Sequence, residues 1–214
     1  YQLMRSAVTE AHDKSAPYYD DVSRQVENHG HEVLFGMAYE YVQPGESILD
    51  IGIGTGLSSV LFNKAGLEVY GIDSSGEMLS VCREKGFAKD LKTYDLIEGH
   101  WPYEDCRFHH AIACGVFHFF KSLDVFFMET SRILKNDGIF CFTVAEPAGG
   151  ETEHVNDDYG IVIYSHDDSY VDLMAERYGF IRMKSISYLT YTGTDKIGTA
   201  RFKGIIFKKK DAMG

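Results

Sequence analysis

The chain has 214 residues, 44% of them hydrophobic, enough for one sizeable core and a single domain. Its formal net charge of -11 opposes broad attachment to nucleic acid, which needs a basic face to displace counterions from phosphates; small or cationic partners suit it better. Cys82, Cys106, Cys114 and Cys141 lack paired C-x-x-C spacing, no apolar run nears the ~20 residues that span a bilayer, and Tyr1 to Glu10 has no signal-peptide pattern, so free thiols, a cytoplasmic location and no membrane partner are expected.

The sequence starts at Tyr1 rather than at Met, as a trimmed chain does. Leu3, Met4, Ala7, Val8 and Ala11 recur at helical intervals until Pro17 stops them, and Val33 to Val42 reads as a second amphipathic helix ended by Pro44-Gly45. Ser47 to Leu57 then runs strand, tight glycine turn, helix, with Gly52, Gly54 and Gly56 alternating with Ile53 and Thr55. Glycine serves there because the backbone must turn sharply and its amides must come close to a ligand. A dinucleotide fingerprint has a glycine where this chain has Leu57, which weakens a nicotinamide oxidoreductase reading without removing it.

Beyond the turn come helix Leu57 to Ala65, strand Val69 to Asp73, a helix capped by Ser75 and running to Lys85, strand Lys92 to Ile97, strand Ala111 to Cys114, helix Leu123 to Leu134 and strand Gly138 to Val144. Strand followed by helix, repeated, predicts an α/β, doubly wound, mostly parallel sheet with helices on both faces. Right-handed crossovers bring the tips carrying Gly52, Asp73, Asp95 and Cys114 to one edge of that sheet. An acid at the tip of the second strand, Asp73, suits the two hydroxyls of a ribose. Glu146 to Asp168, with Pro147, Gly149, Gly150 and acids including Asp157 and Asp158, predicts an excursion beside the site rather than a second domain. Helix Ser169 to Tyr178 closed by Gly179 leads to strands Ile181 to Thr192 and Thr199 to Lys208, which the short turn at Gly193-Thr194-Asp195 makes antiparallel. Lys208 to Lys210 reads as a solvated strand end.

ILDIGIGTG at 48 to 56, GIDSSGEML at 71 to 79, Asp95-Leu96 followed by WPYED at 101 to 105, and ACGVFHFF at 113 to 120 with RILKNDGIF at 132 to 140 stand in the order and spacing of one known family. Over about residues 18 to 144 the sequence resembles the class I S-adenosylmethionine-dependent methyltransferases, in particular the small single-domain type 11 group. The resemblance implies a seven-stranded Rossmann-like sheet with an antiparallel last strand and a single domain of 1-214: a helical cap at 1-45, a cofactor-binding core at 46-145, the excursion at 146-168 and a closing helix and strand pair at 169-210. It further implies a cofactor, S-adenosyl-L-methionine, with S-adenosyl-L-homocysteine as product, and a small-molecule O, N or C acceptor. A non-catalytic binder of the same cofactor, acting as sensor or partner subunit, is the alternative of another class.

Residue by residue, the resemblance assigns Gly52, Ile53, Gly54, Thr55 and Gly56 to the methionine end of the cofactor, with Asp50 fixing the turn and the amino group. Asp73 and Ser74 fall to the ribose, Met78, Asp95 and Leu96 to the adenine, and Cys114, Gly115 and Val116 run under the methionine portion. Tyr19, in the Tyr18-Tyr19-Asp20 segment, closes over the cofactor in relatives; read without them, it is a surface turn. The chain departs from the family at Phe108-His109-His110, where relatives have Phe-Asp, and between Leu96 and Trp101, where it carries extra length. Neighbouring histidines on a strand face opposite ways, so no metal site is expected there. His118 is the weak candidate for a catalytic base, a packed histidine being the competing reading.

Overall fold

The computed structural model describes residues 2–156 and 160–211, with side chains from 7 to 155 and from 160 to 211. Asp157 and Asp158 of the acidic excursion, and the side chains of Leu3 and Met4, lie outside the described residues. The chain opens with α1 (Gln2–Ser15); Pro17 sits at the start of a short 3-10 turn, where its missing amide costs no helical bond, and α2 (Tyr19–Gln25) follows. Helix α3 (Gly30–Ala38) starts and stops earlier than its apolar spacing predicts, a 3-10 turn carrying the chain on through Tyr41.

Strand β1 (Ser47–Ile51), α4 (Ser59–Lys64), β2 (Glu68–Asp73), α5 (Gly76–Lys85), β3 (Asp90–Thr93), β4 (Phe108–Ala113), α6 (Asp124–Ile133) and β5 (Leu134–Ala145) give the alternating rhythm. After β6 (Glu153–Asn156), β7 (Ile161–Tyr164) and α7 (Asp168–Arg177), the long strands β8 (Phe180–Tyr191) and β9 (Thr199–Lys209) complete a seven-stranded sheet of order β3-β2-β1-β4-β5-β9-β8. Strand β9 runs antiparallel to both neighbours, while the pairings from β3 to β5 are parallel. Every residue of β1 is buried, the pattern of a parallel strand covered on both faces. Its alternate residues divide the core: Leu49 and Ile51 join Phe126, Phe127 and Phe142 on the α6/α7 side, and Ile48 joins Leu34, Phe62 and Leu79 on the α3/α4/α5 side. Burial of each such side chain contributes about 1.5–3 kcal/mol.

Two strand bounds are corrected. Strand β3 ends at Thr93 instead of Ile97, because the Asp95 carboxylate accepts the Ile97 amide at 3.3 Å and folds the next residues into a turn. Strand β5 begins at Leu134, not Gly138, since Leu134 already pairs with Phe108 before a register shift at His110. The excursion holds an antiparallel hairpin, β6–β7, and an isolated bridge ties Ser165 to Ala145 at the end of β5. Gly179, at φ +77, follows α7 in the left-handed conformation a helix end favours.

Candidate active site

The glycine turn after β1 forms because its backbone cannot be built otherwise. Gly52, Gly54 and Gly56 have φ of +73, +54 and +81. A Cβ at Gly52 meets Val116 Cγ2 at 2.6 Å, and one at Gly56 meets Phe87 Cζ at 2.6 Å and Cys82 Sγ at 2.8 Å, so both are fixed by packing from beneath. At Gly54 a Cβ meets nothing within 4 Å, and that residue faces open space. Asp50 is buried, and its carboxylate accepts from the Ser59 hydroxyl at the start of α4. Burial pushes its carboxyl up to about 7, against the pull of Ser59 and with a further push from the Asp73 charge.

Asp73 closes the next side. Its two oxygens accept the amides of Gly54 and Ser75, each at 2.8 Å, which leaves lone pairs on both for a further donor. Burial raises the Asp73 pKa in spite of those bonds. Ser75 caps α5 by accepting from the Met78 amide at 3.1 Å and donates to Asp13 of α1 at 2.5 Å. Thr9 and Ser74 share a hydrogen bond at 3.2 Å, and Thr55 donates to Asp20 at 2.6 Å while Lys85 pairs with the same carboxylate at 2.5 Å. Four polar contacts thus tie α1 and α2 to Thr55 of the glycine turn, to Ser74 and Ser75 after β2 and to Lys85 of α5, and Tyr19 between them in sequence is half-buried. Burial, with the charges of Cys114, Asp73 and Asp20, pushes the Tyr19 hydroxyl up to about 12, so it stays a neutral donor.

On the far side the Leu96 carbonyl accepts from Trp101 Nε1 at 3.0 Å, so the lone tryptophan pins the turn after β3 from within the core. The extra length there is taken up by Gly99 and His100, at φ +69 and +48. At the end of β4 the Gly115 amide donates to Thr143 Oγ1 at 2.8 Å, and burial pushes the Cys114 thiol up to about 12. His109 and His110 anchor the strand start: the Ser47 amide donates to His109 Nδ1 at 3.0 Å, and His110 Nε2 meets Glu46 at 2.8 Å.

These pieces surround one cavity of about 830 Å³. Of the residues singled out from sequence, Gly52, Ile53, Gly54, Thr55, Asp73 and Ser74 line it, as do Tyr19, Met78, Leu96, Cys114, Gly115, Val116 and His118. Asp50, Gly56 and Asp95 do not: Asp50 and Gly56 are buried and support the turn, and Asp95, half-buried, shapes the loop that presents Leu96. Residues that sequence reasoning did not single out complete the wall, among them His12 and His31 from the helical cap, Glu146 after β5, and Tyr188, Arg201 and Phe202 from the last strand pair. The segments 1–30, 146–168 and 188–199, the variable parts expected from the sequence to shape an acceptor pocket, supply His12, Glu146 and Tyr188 to the lining. Among the described residues no group of three or more His, Cys, Asp or Glu side chains is placed to hold a metal ion, and no helix is long and apolar enough to cross a membrane.

A parallel sheet with one reversed strand, an open glycine turn after its first strand and a half-buried acid at the tip of the second define the fold of the class I S-adenosylmethionine-dependent methyltransferases. Residues 49–142 match the family model described as a methyltransferase domain. A demethylmenaquinone methyltransferase of Tropheryma whipplei (strain Twist) is 31% identical over 97 residues, 45% of this chain and 41% of that protein. The malonyl-[acyl-carrier protein] O-methyltransferase of Serratia marcescens is 27% identical over 72% of this chain and 57% of its own length. The chain thus spans about half the length of these curated relatives. Among solved structures, the Burkholderia thailandensis 1,6-didemethyltoxoflavin-N1-methyltransferase, crystallised with 1,6-didemethyltoxoflavin and S-adenosylhomocysteine, superposes with a TM-score of 0.73 at 16% identity, covering 98% of this chain and 88% of that one; it shares the fold.

Proposed function

We propose that the protein transfers the methyl group of S-adenosylmethionine to a small-molecule O, N or C acceptor, leaving S-adenosylhomocysteine. The observation that carries the reading is the Gly54 position: its Cβ direction opens into the cavity and its amide is locked to Asp73, so one rigid edge offers both close backbone approach and a ribose-seeking carboxylate. The donor, when bound, supplies an electrophilic sulfonium methyl. Asp73 and Ser74 hold its ribose, Met78 and Leu96 flank its adenine, and the backbone at Gly52, Gly54 and Gly115 runs beside its methionine portion. Tyr19 and the cap excluding water would then leave alignment of the acceptor as the main work of catalysis. Calorimetry with S-adenosylhomocysteine, followed by an acceptor-library screen with labelled methyl donor, tests both halves. Tight binding without turnover of any acceptor marks a cofactor sensor instead.

A further inference from the structure

We infer that the protein forms a symmetric dimer in which β8 of one copy pairs antiparallel with β8 of a second copy, about a two-fold axis at Ser187. The inference is independent of the methyl-transfer reading. Strand β8 (Phe180–Tyr191) ends the seven-stranded sheet, and among the described residues no strand pairs with its outer side. Of the ten large hydrophobic side chains that stand exposed among the described residues, Ile181, Met183, Ile186 and Leu189 lie on this one strand. Such a concentration marks an interface, whereas single exposed side chains mark nothing.

The backbone makes the edge complementary to itself. In an antiparallel pair, alternate residues aim both backbone groups at the neighbouring strand and the residues between them aim both groups away. The Tyr191 amide points away from β9, donating to the Val26 carbonyl at 3.3 Å, while the Thr192 amide donates to Gly198 across the hairpin at 3.0 Å. Counting back by twos, Leu189, Ser187 and Ser185 aim outward, and all three residues are exposed. With the axis at Ser187, that residue faces itself and Ser185 faces the partner's Leu189, so every outward amide and carbonyl of the three is bonded across the axis. Neighbouring registers fail. An axis at Ser185 sets Ser187 against Met183, the extra residue of the bulge between Arg182 and Lys184. An axis at Leu189 sets Ser187 against Tyr191, whose amide Val26 already holds.

Side chains and charge agree with that register. Ile186 comes opposite the partner's Tyr188, and Lys184 comes opposite the partner's Thr190, so no like charges meet. The cations of the strand are already neutralised: Arg182 pairs with Asp172 at 2.7 Å and Asp168 at 3.0 Å on α7, and Lys184 pairs with Glu40 just beyond α3. These pairs also place α7 and α3 on the two faces of the sheet at this edge. With those layers about 10 Å above and below an edge about 40 Å long, each copy offers about 800 Å², the area a stable dimer needs. Leu189 is both exposed and part of the cavity lining, so the partner's strand extends the wall there.

The test is sedimentation equilibrium of the whole chain from about 1 to 100 μM, where a rise from 24.1 kDa toward twice that mass is expected. Each copy carries a net charge of -11, so added salt tightens the association by screening. Ser187→Pro removes an outward amide in each copy without touching the β9 ladder and raises the dissociation constant about 30-fold. Ile186→Lys raises it about tenfold. With Cys106→Ser removing the exposed thiol, Ser187→Cys is expected to cross-link to its own copy under oxidation, and Ser185→Cys is not, because it faces the partner's Leu189. Should Ser187→Pro fail to fold by circular dichroism, Ile186→Lys and the cross-links decide. A mass of 24.1 kDa at every concentration, a dimer that the folded variants leave intact, or equal cross-linking at 185 and 187 overturns the inference.

Discussion

The amide of Gly54 donates to the carboxylate of Asp73 at 2.8 Å, so the turn after the first strand and the tip of the second are one unit. The same carboxylate holds the Ser75 amide at the start of α5. Asp73→Ala strips both amides of their acceptor and removes the ribose contact together. S-adenosylhomocysteine affinity is expected to fall about 100-fold, with a stability loss of about 1–3 kcal/mol per orphaned amide, measured by calorimetry and urea denaturation. Asp73→Asn, which keeps the shape, falls between.

The three glycines of the turn separate stability from binding. Gly54→Ala costs about 1–2 kcal/mol for its left-handed backbone and nothing for contact, but its methyl enters the cavity and should abolish detectable cofactor binding. Gly52→Ala carries the same backbone cost plus a 2.6 Å collision with Val116 Cγ2, so it is the more destabilising of the two. Adding Val116→Ala recovers the collision and leaves the backbone cost. Denaturation midpoints of the two single variants and the double variant check the order.

Asp50 makes the ligand-free protein sensitive to pH. Its carboxyl is raised from 3.8 to about 7 by burial, so the native state binds a proton the unfolded chain has already lost. Stability linked to Asp50 is therefore fully present below about pH 4 and is lost as pH rises through about 7. The upper bound on that loss is about 4 kcal/mol at 1.36 kcal/mol per unit. Asp73, also raised, acts with the same sign. Asp50→Asn keeps an acceptor for Ser59 and should flatten the decline between about pH 4 and pH 7 in urea titrations.

The helical cap is held by short polar contacts, Asp13 to Ser75 and Asp20 to Thr55 and Lys85. Asp13→Ala with Asp20→Ala is expected to speed S-adenosylhomocysteine dissociation about tenfold and to open residues 7–25 to limited proteolysis, leaving the melting of the sheet core nearly unchanged. Stopped-flow displacement and timed trypsin digestion read the two effects.

The strand tips were legible because each is a backbone demand written in residue type: glycines where φ is positive, an acid where a parallel strand ends, apolar runs where both faces are covered. The hinge between β3 and Leu96 was not, because the side chain of Asp95 turns the chain through a bond to Ile97 that an apolar spacing pattern does not register. Nor was the β6–β7 hairpin: β6 (Glu153–Asn156) is largely polar, and the apolar run of β7 (Ile161–Tyr164) is short and stands in a segment rich in acids and glycines that reads as loop until Ser165 bridges to Ala145. Asp50, expected from the sequence to fix the turn and the cofactor's amino group, is buried and accepts from Ser59, a contact that braces the turn from behind. The cavity wall around His118 depends on tertiary approach of Phe202, itself stacked on Tyr188, across more than 60 residues of sequence, and no local pattern encodes such a meeting.

The most direct measurement is equilibrium binding of S-adenosylhomocysteine to the whole chain and to Gly54→Ala. The structure-based reading predicts one site per chain with micromolar or tighter affinity, lost in Gly54→Ala while the variant stays folded. No binding to the unaltered chain, or binding that Gly54→Ala leaves intact, contradicts it.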